Sequence, residues 1–219
     1  MTFLKHNHVS LRQLSDKTLA FLVSLLLVFV LAAPFAPATT VLAENTSSHK
    51  SSVTDEPKLT EATTAIVTDA QGNVLWSKNP DQELPMASIT KVMTAIVALD
   101  SGVNLDEPCE ITVPDLEEGS QVAGLTSDDT PTLRQLIMMM LVYSANDAAY
   151  NIAVNVSGSQ QAFVDQMNKK AAEIGMTHTQ FQNPHGLDAN GHYSTARDLA
   201  LMGRYAREHY PLIASAVHT

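Results

Sequence analysis

The chain has 219 residues, 45% of them hydrophobic, with a formal net charge of −10 and one cysteine. That length leaves room for one ordinary domain behind a targeting segment. The acidity disfavours a nucleic-acid binder, which must neutralise phosphates with Lys and Arg, and a lone cysteine excludes an internal disulfide, so packing must hold the fold together.

Lys5, Arg12 and Lys17 precede an apolar run from Leu19 to Ala33 that only Ser24 interrupts and Pro34 ends. With Val41-Leu42-Ala43 as a cleavage site, residues 1–43 read as a signal peptide and the remainder as secreted, working outside the cytoplasm. An uncleaved anchor is the alternative, but a bilayer span needs about 20 apolar residues and this run is shorter. Residues 44–60 are rich in Ser, Thr, Glu and Lys, contain Pro57, and read as a flexible linker.

Thr64 to Thr68 and Val74 to Ser77, separated by an Asp/Gly/Asn turn, predict a hairpin, with Trp76 packing under the sheet. Ser88 through Leu99 is apolar on most sides, which predicts a central buried helix. From Ser101 to Asp129 the chain is acidic and irregular, with β-rich pieces near Glu110 to Val113. A second helix is expected with Thr130 as N-cap and Pro131 at its first position. A third runs from about Asp147 to Val156, a fourth from about Gln160 to Ile174 ending at Gly175, and a fifth from Ser194-Thr195, with Asp198 favouring its N-terminal dipole.

Two short motifs carry chemistry: Ser88-Ile89-Thr90-Lys91 and Ser144-Ala145-Asn146. On a helix that starts at Ser88, Lys91 lies one turn along on the same face. Apolar neighbours should depress its pKa and leave a neutral amine able to activate a hydroxyl. The free N–H groups of that helix start could stabilise an oxyanion. Ser144 and Asn146 fall between the second and third helices. There Ser144 can pass a proton and Asn146 can bind a substrate backbone, although Asn146 or Asp147 could equally cap a helix.

In order and spacing these motifs resemble the penicillin-binding serine peptidases, specifically the low-molecular-weight D-alanyl-D-alanine carboxypeptidases with their S-x-x-K, S-x-N and K-T-G motifs. The likeness extends through Leu84-Pro85-Met86-Ala87, Asp147-Ala148-Ala149, Met167-Asn168, Asn183-Pro184-His185-Gly186-Leu187-Asp188 and Gly191 to Leu199. It implies an α+β fold of the β-lactamase/transpeptidase type, a helical subdomain packed on an antiparallel sheet. It also implies a serine D-Ala-D-Ala carboxypeptidase that removes the terminal D-alanine of a peptidoglycan stem peptide through a Ser88 acyl-enzyme. Lys91 would be the base, Ser144 the proton relay and Asn146 a substrate ligand. β-Lactams would be covalent inhibitors, and no cofactor or metal is called for.

No lysine of the chain is followed by Thr-Gly or Ser-Gly. The resemblance therefore implies that residues 61–219 are an incomplete catalytic domain, lacking the K-T-G strand and the C-terminal sheet strands, with a hairpin left exposing unpaired edges. It leaves room for membrane-surface association through a C-terminal region. The rival readings are an inactive fragment or non-catalytic wall or β-lactam binder, and a class A β-lactamase, which would want Asp where Ala145 stands. His178, His185 and His192 recur every seven residues but lack an H-E-x-x-H pattern, which disfavours zinc. Met138-Met139-Met140 reads as core filling, and Cys109, flanked by Glu107 and Glu110, as structural.

Overall fold

The computed structural model describes residues 60–217. The expected signal peptide, nearly all of the linker and the His218-Thr219 pair lie outside the described residues.

The first ordered element is organised by one carboxylate. Asp69 accepts hydrogen bonds from the backbone N–H groups of Gln71 and Asn73 and from Asn73 Nδ2, an Asx turn that reverses the chain. It joins β1 (Ala65–Thr68) to β2 (Val74–Lys78) in antiparallel register, with Val67 opposite Trp76. Trp76 is half-buried. Among the described residues the sheet has two strands, and Val67, Val74 and Leu75 are exposed. As expected, apolar side chains of the hairpin are left uncovered.

Among the described residues six α-helices follow: α1 (Thr90–Asp100), α2 (Leu133–Tyr143), α3 (Asn146–Ser157), α4 (Gln160–Ile174), α5 (Ala196–His209) and the short α6 (Pro211–Ala216). The apolar character of α1 places it at the centre, packed against α2, α3, α4 and α5. Met93 and Ile96 from α1 meet a core that includes Leu136, Ile152, Phe163 and Met202, all essentially inaccessible to solvent. Each such side chain contributes about 1.5–3 kcal/mol on burial. Met140 joins that core while Met138 and Met139 are half-buried, and buried Cys109 has its thiol pushed up by burial.

Three expected boundaries are corrected. The helix expected to start at Ser88 begins as a short 3-10 turn, Ala87–Ile89, and α1 starts only at Thr90. The N-cap of α2 is Thr132, not Thr130. Thr132 and Gln135 form a reciprocal capping box that outweighs the Pro131 signal, since it satisfies two otherwise orphaned donors. Thr132→Ala should therefore lower stability by about 1 kcal/mol, read as a shift of the urea midpoint at unchanged slope. Neither Asn146 nor Asp147 caps α3; Ala145 occupies that position without a side-chain bond.

The β-rich pieces near Glu110 to Val113 are not strands. Their partner is a row of amides on α3: Asn151 exchanges hydrogen bonds with Thr112 N–H and C=O, and Asn155 does the same with Glu110. Side chains four residues apart on a helix lie one above the other, so they substitute for a neighbouring strand. The fifth helix starts as expected: Thr195 accepts from Asp198 N–H. The Asp198 carboxylate reaches past the helix dipole to accept from His178 N–H and Thr179 Oγ1.

Candidate active site

Two locally strained residues frame the site. Ala87, immediately before Ser88, has φ of 48°, and Ser144 has φ of 60° as the left-handed C-cap of α2. Such conformations cost non-glycine residues roughly 1–2 kcal/mol, and strain of this kind gathers at functional sites. Glycine would relieve it at 144, but only serine brings a hydroxyl there. The tight α2–α3 connection points that hydroxyl at the 3-10 turn, and Ser144 Oγ donates to Ser88 Oγ at 3.0 Å.

Lys91 lies under this pair, 2% exposed, on the first turn of α1. Its Nζ donates to Ser88 Oγ at 3.1 Å, to Asn146 Oδ1 at 2.7 Å and to the His185 carbonyl. The three sequence-predicted groups Ser88, Lys91 and Ser144 are thus brought together, with Asn146 against the lysine. Burial lowers the Lys91 pKa from 10.5 to about 8, as desolvation disfavours the ammonium. Asn146 Oδ1 and the His185 carbonyl can only accept. A neutral amine therefore gives them its two N–H bonds, and its lone pair is left facing Ser88 Oγ.

Asn146 Oδ1 accepts from Lys91 and its backbone N–H donates to the Gln121 carbonyl, which leaves the side-chain amide Nδ2 as its unengaged donor among the described residues. The oxyanion reading shifts. The N–H of Thr90, at the start of α1, bonds back to Ala87 and Ser88 carbonyls. Among the described residues Ser88 N–H has no acceptor, and it is the backbone donor that Ser88 itself contributes.

Sequence reasoning missed what holds Lys91 from the other side. Asn183 Oδ1 accepts from Gly186 N–H at 2.7 Å and its Nδ2 donates to the Leu187 carbonyl, folding 183–187 into a turn whose carbonyls face α1. Pro184 C=O accepts from Thr94 Oγ1 and His185 C=O from Lys91. Gly186, at φ of 90°, lies against the Ala87 carbonyl. Nothing local in Asn183-Pro184-His185-Gly186 says which helix it docks on.

The three histidines diverge. His178 contacts Glu83, His185 Nδ1 accepts from Leu187 N–H, and His192 Nδ1 accepts from Gln182 N–H while its Nε2 bonds Thr90 Oγ1 at 2.8 Å. Burial lowers the pKa of His192, and burial with the nearby Lys91 charge lowers that of His185 to about 4. Among the described residues no group of three or more metal-ligating side chains converges.

The family described as D-alanyl-D-alanine carboxypeptidase matches residues 50–217 of the chain. This protein belongs to that family. Among similar family proteins, the D-alanyl-D-alanine carboxypeptidase DacF of Bacillus subtilis is 33% identical over 84% of the chain and 46% of its own length. A D-alanyl-D-alanine endopeptidase of Pseudomonas aeruginosa is 41% identical over 68% of the chain and 48% of its own. The chain spans about half the length of these relatives. The crystal structure of penicillin-binding protein D2 from Listeria monocytogenes with cefotaxime superposes with a TM-score of 0.68, at 29% identity, over 75% of this chain and 69% of that one. The fold is accordingly that of the penicillin-binding transpeptidase class, helices packed on a small antiparallel sheet.

Proposed function

We propose that this family member is a serine D-alanyl-D-alanine carboxypeptidase of the cell wall, acting on peptidoglycan stem peptides. The observation that carries the reading is the placement of Ser88 Oγ within hydrogen-bond reach of both Lys91 Nζ and Ser144 Oγ. Ser88 attacks the carbonyl of the penultimate D-alanine and gives its proton to neutral Lys91. The oxyanion is met by Ser88 N–H, and the proton returns through Ser144 to the nitrogen of the departing D-alanine as the C–N bond breaks. Water then hydrolyses the ester and frees Ser88. A β-lactam, whose ring amide opens under the same attack, acylates Ser88 in place of substrate. Membership in the family and the structural likeness to a cefotaxime-bound protein support this. The basic front, apolar run and small-residue site at the N-terminus support an extracytoplasmic location.

The test is fluorescent-penicillin labelling of the chain followed by mass mapping of the adduct. An adduct on the peptide containing Ser88 is expected; none from folded protein, or one elsewhere, would overturn the reading. The Pseudomonas aeruginosa relative favours a second reading, a D-alanyl-D-alanine endopeptidase. Release of free D-alanine from a pentapeptide, set against cleavage of a cross-linked dimer, separates the two. An adduct with neither turnover would identify a β-lactam binder without catalysis.

A further inference from the structure

Asp147 is 4% exposed, yet it does not cap α3. Its carboxylate accepts four backbone N–H bonds: Ala148 in its own helix, and Ala123, Gly124 and Leu125 from the long irregular segment before α2. Two residues upstream of that clasp, the Gln121 carbonyl accepts from Asn146 N–H at 2.8 Å. Asn146 is therefore held at both ends, by Gln121 through its backbone and by Lys91 through its side chain.

We propose that Asp147 is a positioning residue for the reaction: by clasping 123–125 it sets the Gln121 carbonyl, which sets Asn146, which keeps the Lys91 amine facing Ser88. Three of the carboxylate's four donors come from a segment remote in sequence, so its task is to join two elements. Asn151 and Asn155 repeat the pattern one and two turns further along α3, gripping Thr112 and Glu110 away from the nucleophile. The same kind of grip thus occurs with and without access to the chemistry, which supplies a control. The proposal rests on the reading of Lys91 as the base.

The experiment titrates Lys91 by NMR in the chain carrying ε-13C lysine, the resonance being identified by its loss in Lys91→Met. The titratable neighbour facing Lys91 is His185, which stays neutral above about pH 4. Asp147→Asn removes the charge; Asp147→Glu keeps it but displaces the carboxylate. Both should lower the Lys91 pKa by about one unit, because an amide oxygen withdrawn from Nζ no longer stabilises the ammonium. Both should also slow penicillin acylation by about 10- to 100-fold, the size of a misplaced catalytic group. Asn155→Ala, whose side chain grips Glu110 and makes no bond to Asp147, should cost stability and leave both readouts unchanged.

Wild-type pKa and rate in both Asp147 variants would overturn the proposal. So would a shift in Asp147→Asn alone, which would mean that the carboxylate acts through its charge. Should Asp147→Asn fail to fold, Asp147→Glu carries the test. A wild-type chain that does not react with penicillin sinks the functional reading, and the titration then shows separately whether Asp147 holds the Lys91 amine.

Discussion

Lys91→Met is expected to slow acylation by penicillin by about 10^4-fold, the upper range for removal of a general base, while the fold survives. Methionine matches the lysine stem in length and fills the same buried channel between α1 and the 183–187 turn, but it offers no lone pair to Ser88. In the wild type the acylation rate should climb with pH through about 8, where the buried amine loses its proton. That limb should be absent from the residual rate of the variant. A wild-type limb retained in Lys91→Met would show that another group takes the proton.

The same residue predicts a stability profile. Its folded pKa lies below the unfolded value of 10.5, so between about pH 8 and 10.5 the unfolded chain holds a proton that the folded chain has released. Stability therefore rises with pH across this window, by at most about 1.4 kcal/mol per unit, and the penalty of the buried ammonium is fully present below it. Lys91→Met should remove this contribution. Urea titrations of both proteins across that window check it, and parallel profiles would refute the assigned shift.

Gly186→Ala should be strongly destabilising, costing about 2–5 kcal/mol. At φ of 90° any side chain pays roughly 1–2 kcal/mol. The new Cβ would also sit 2.1 Å from the Ala87 carbonyl oxygen, and an overlap with backbone adds about 1–3 kcal/mol. Relief requires moving either the 183–187 turn, which carries the His185 carbonyl away from Lys91, or the 3-10 turn that carries Ser88. Acylation should therefore fall together with the urea midpoint. A midpoint within about 1 kcal/mol of wild type, with undiminished labelling, would show that the turn does not seat the nucleophile.

The elements were legible wherever local signals agreed. Residues 160–174 bounded by Ser159 and Gly175, the hairpin around Asp69, and the Thr195 cap all follow from capping and turn chemistry confined to a few residues. Local signals misled where two competed, as at Pro131 against the Thr132 box, or where a short turn preceded the helix, as at Ser88. They were silent where the partner is distant, as for Glu110 to Val113, whose hydrogen bonds go to side chains of α3.

The sequence by itself determined which candidate groups could come together. A serine three residues before a lysine on an apolar helix places the two within reach, because 3.6 residues make a turn, and a Ser-x-Asn at a helix break presents its hydroxyl. Only the tertiary structure decided how the lysine is held. Asn146 Oδ1 from α3 and the His185 carbonyl from a loop 94 residues along the chain converge on Nζ, and their acceptor-only character turns the remaining lone pair to Ser88. Spacing along a chain encodes contacts within one helix. Contacts between elements depend on how their buried faces pack, and that is settled only when the whole core closes around α1.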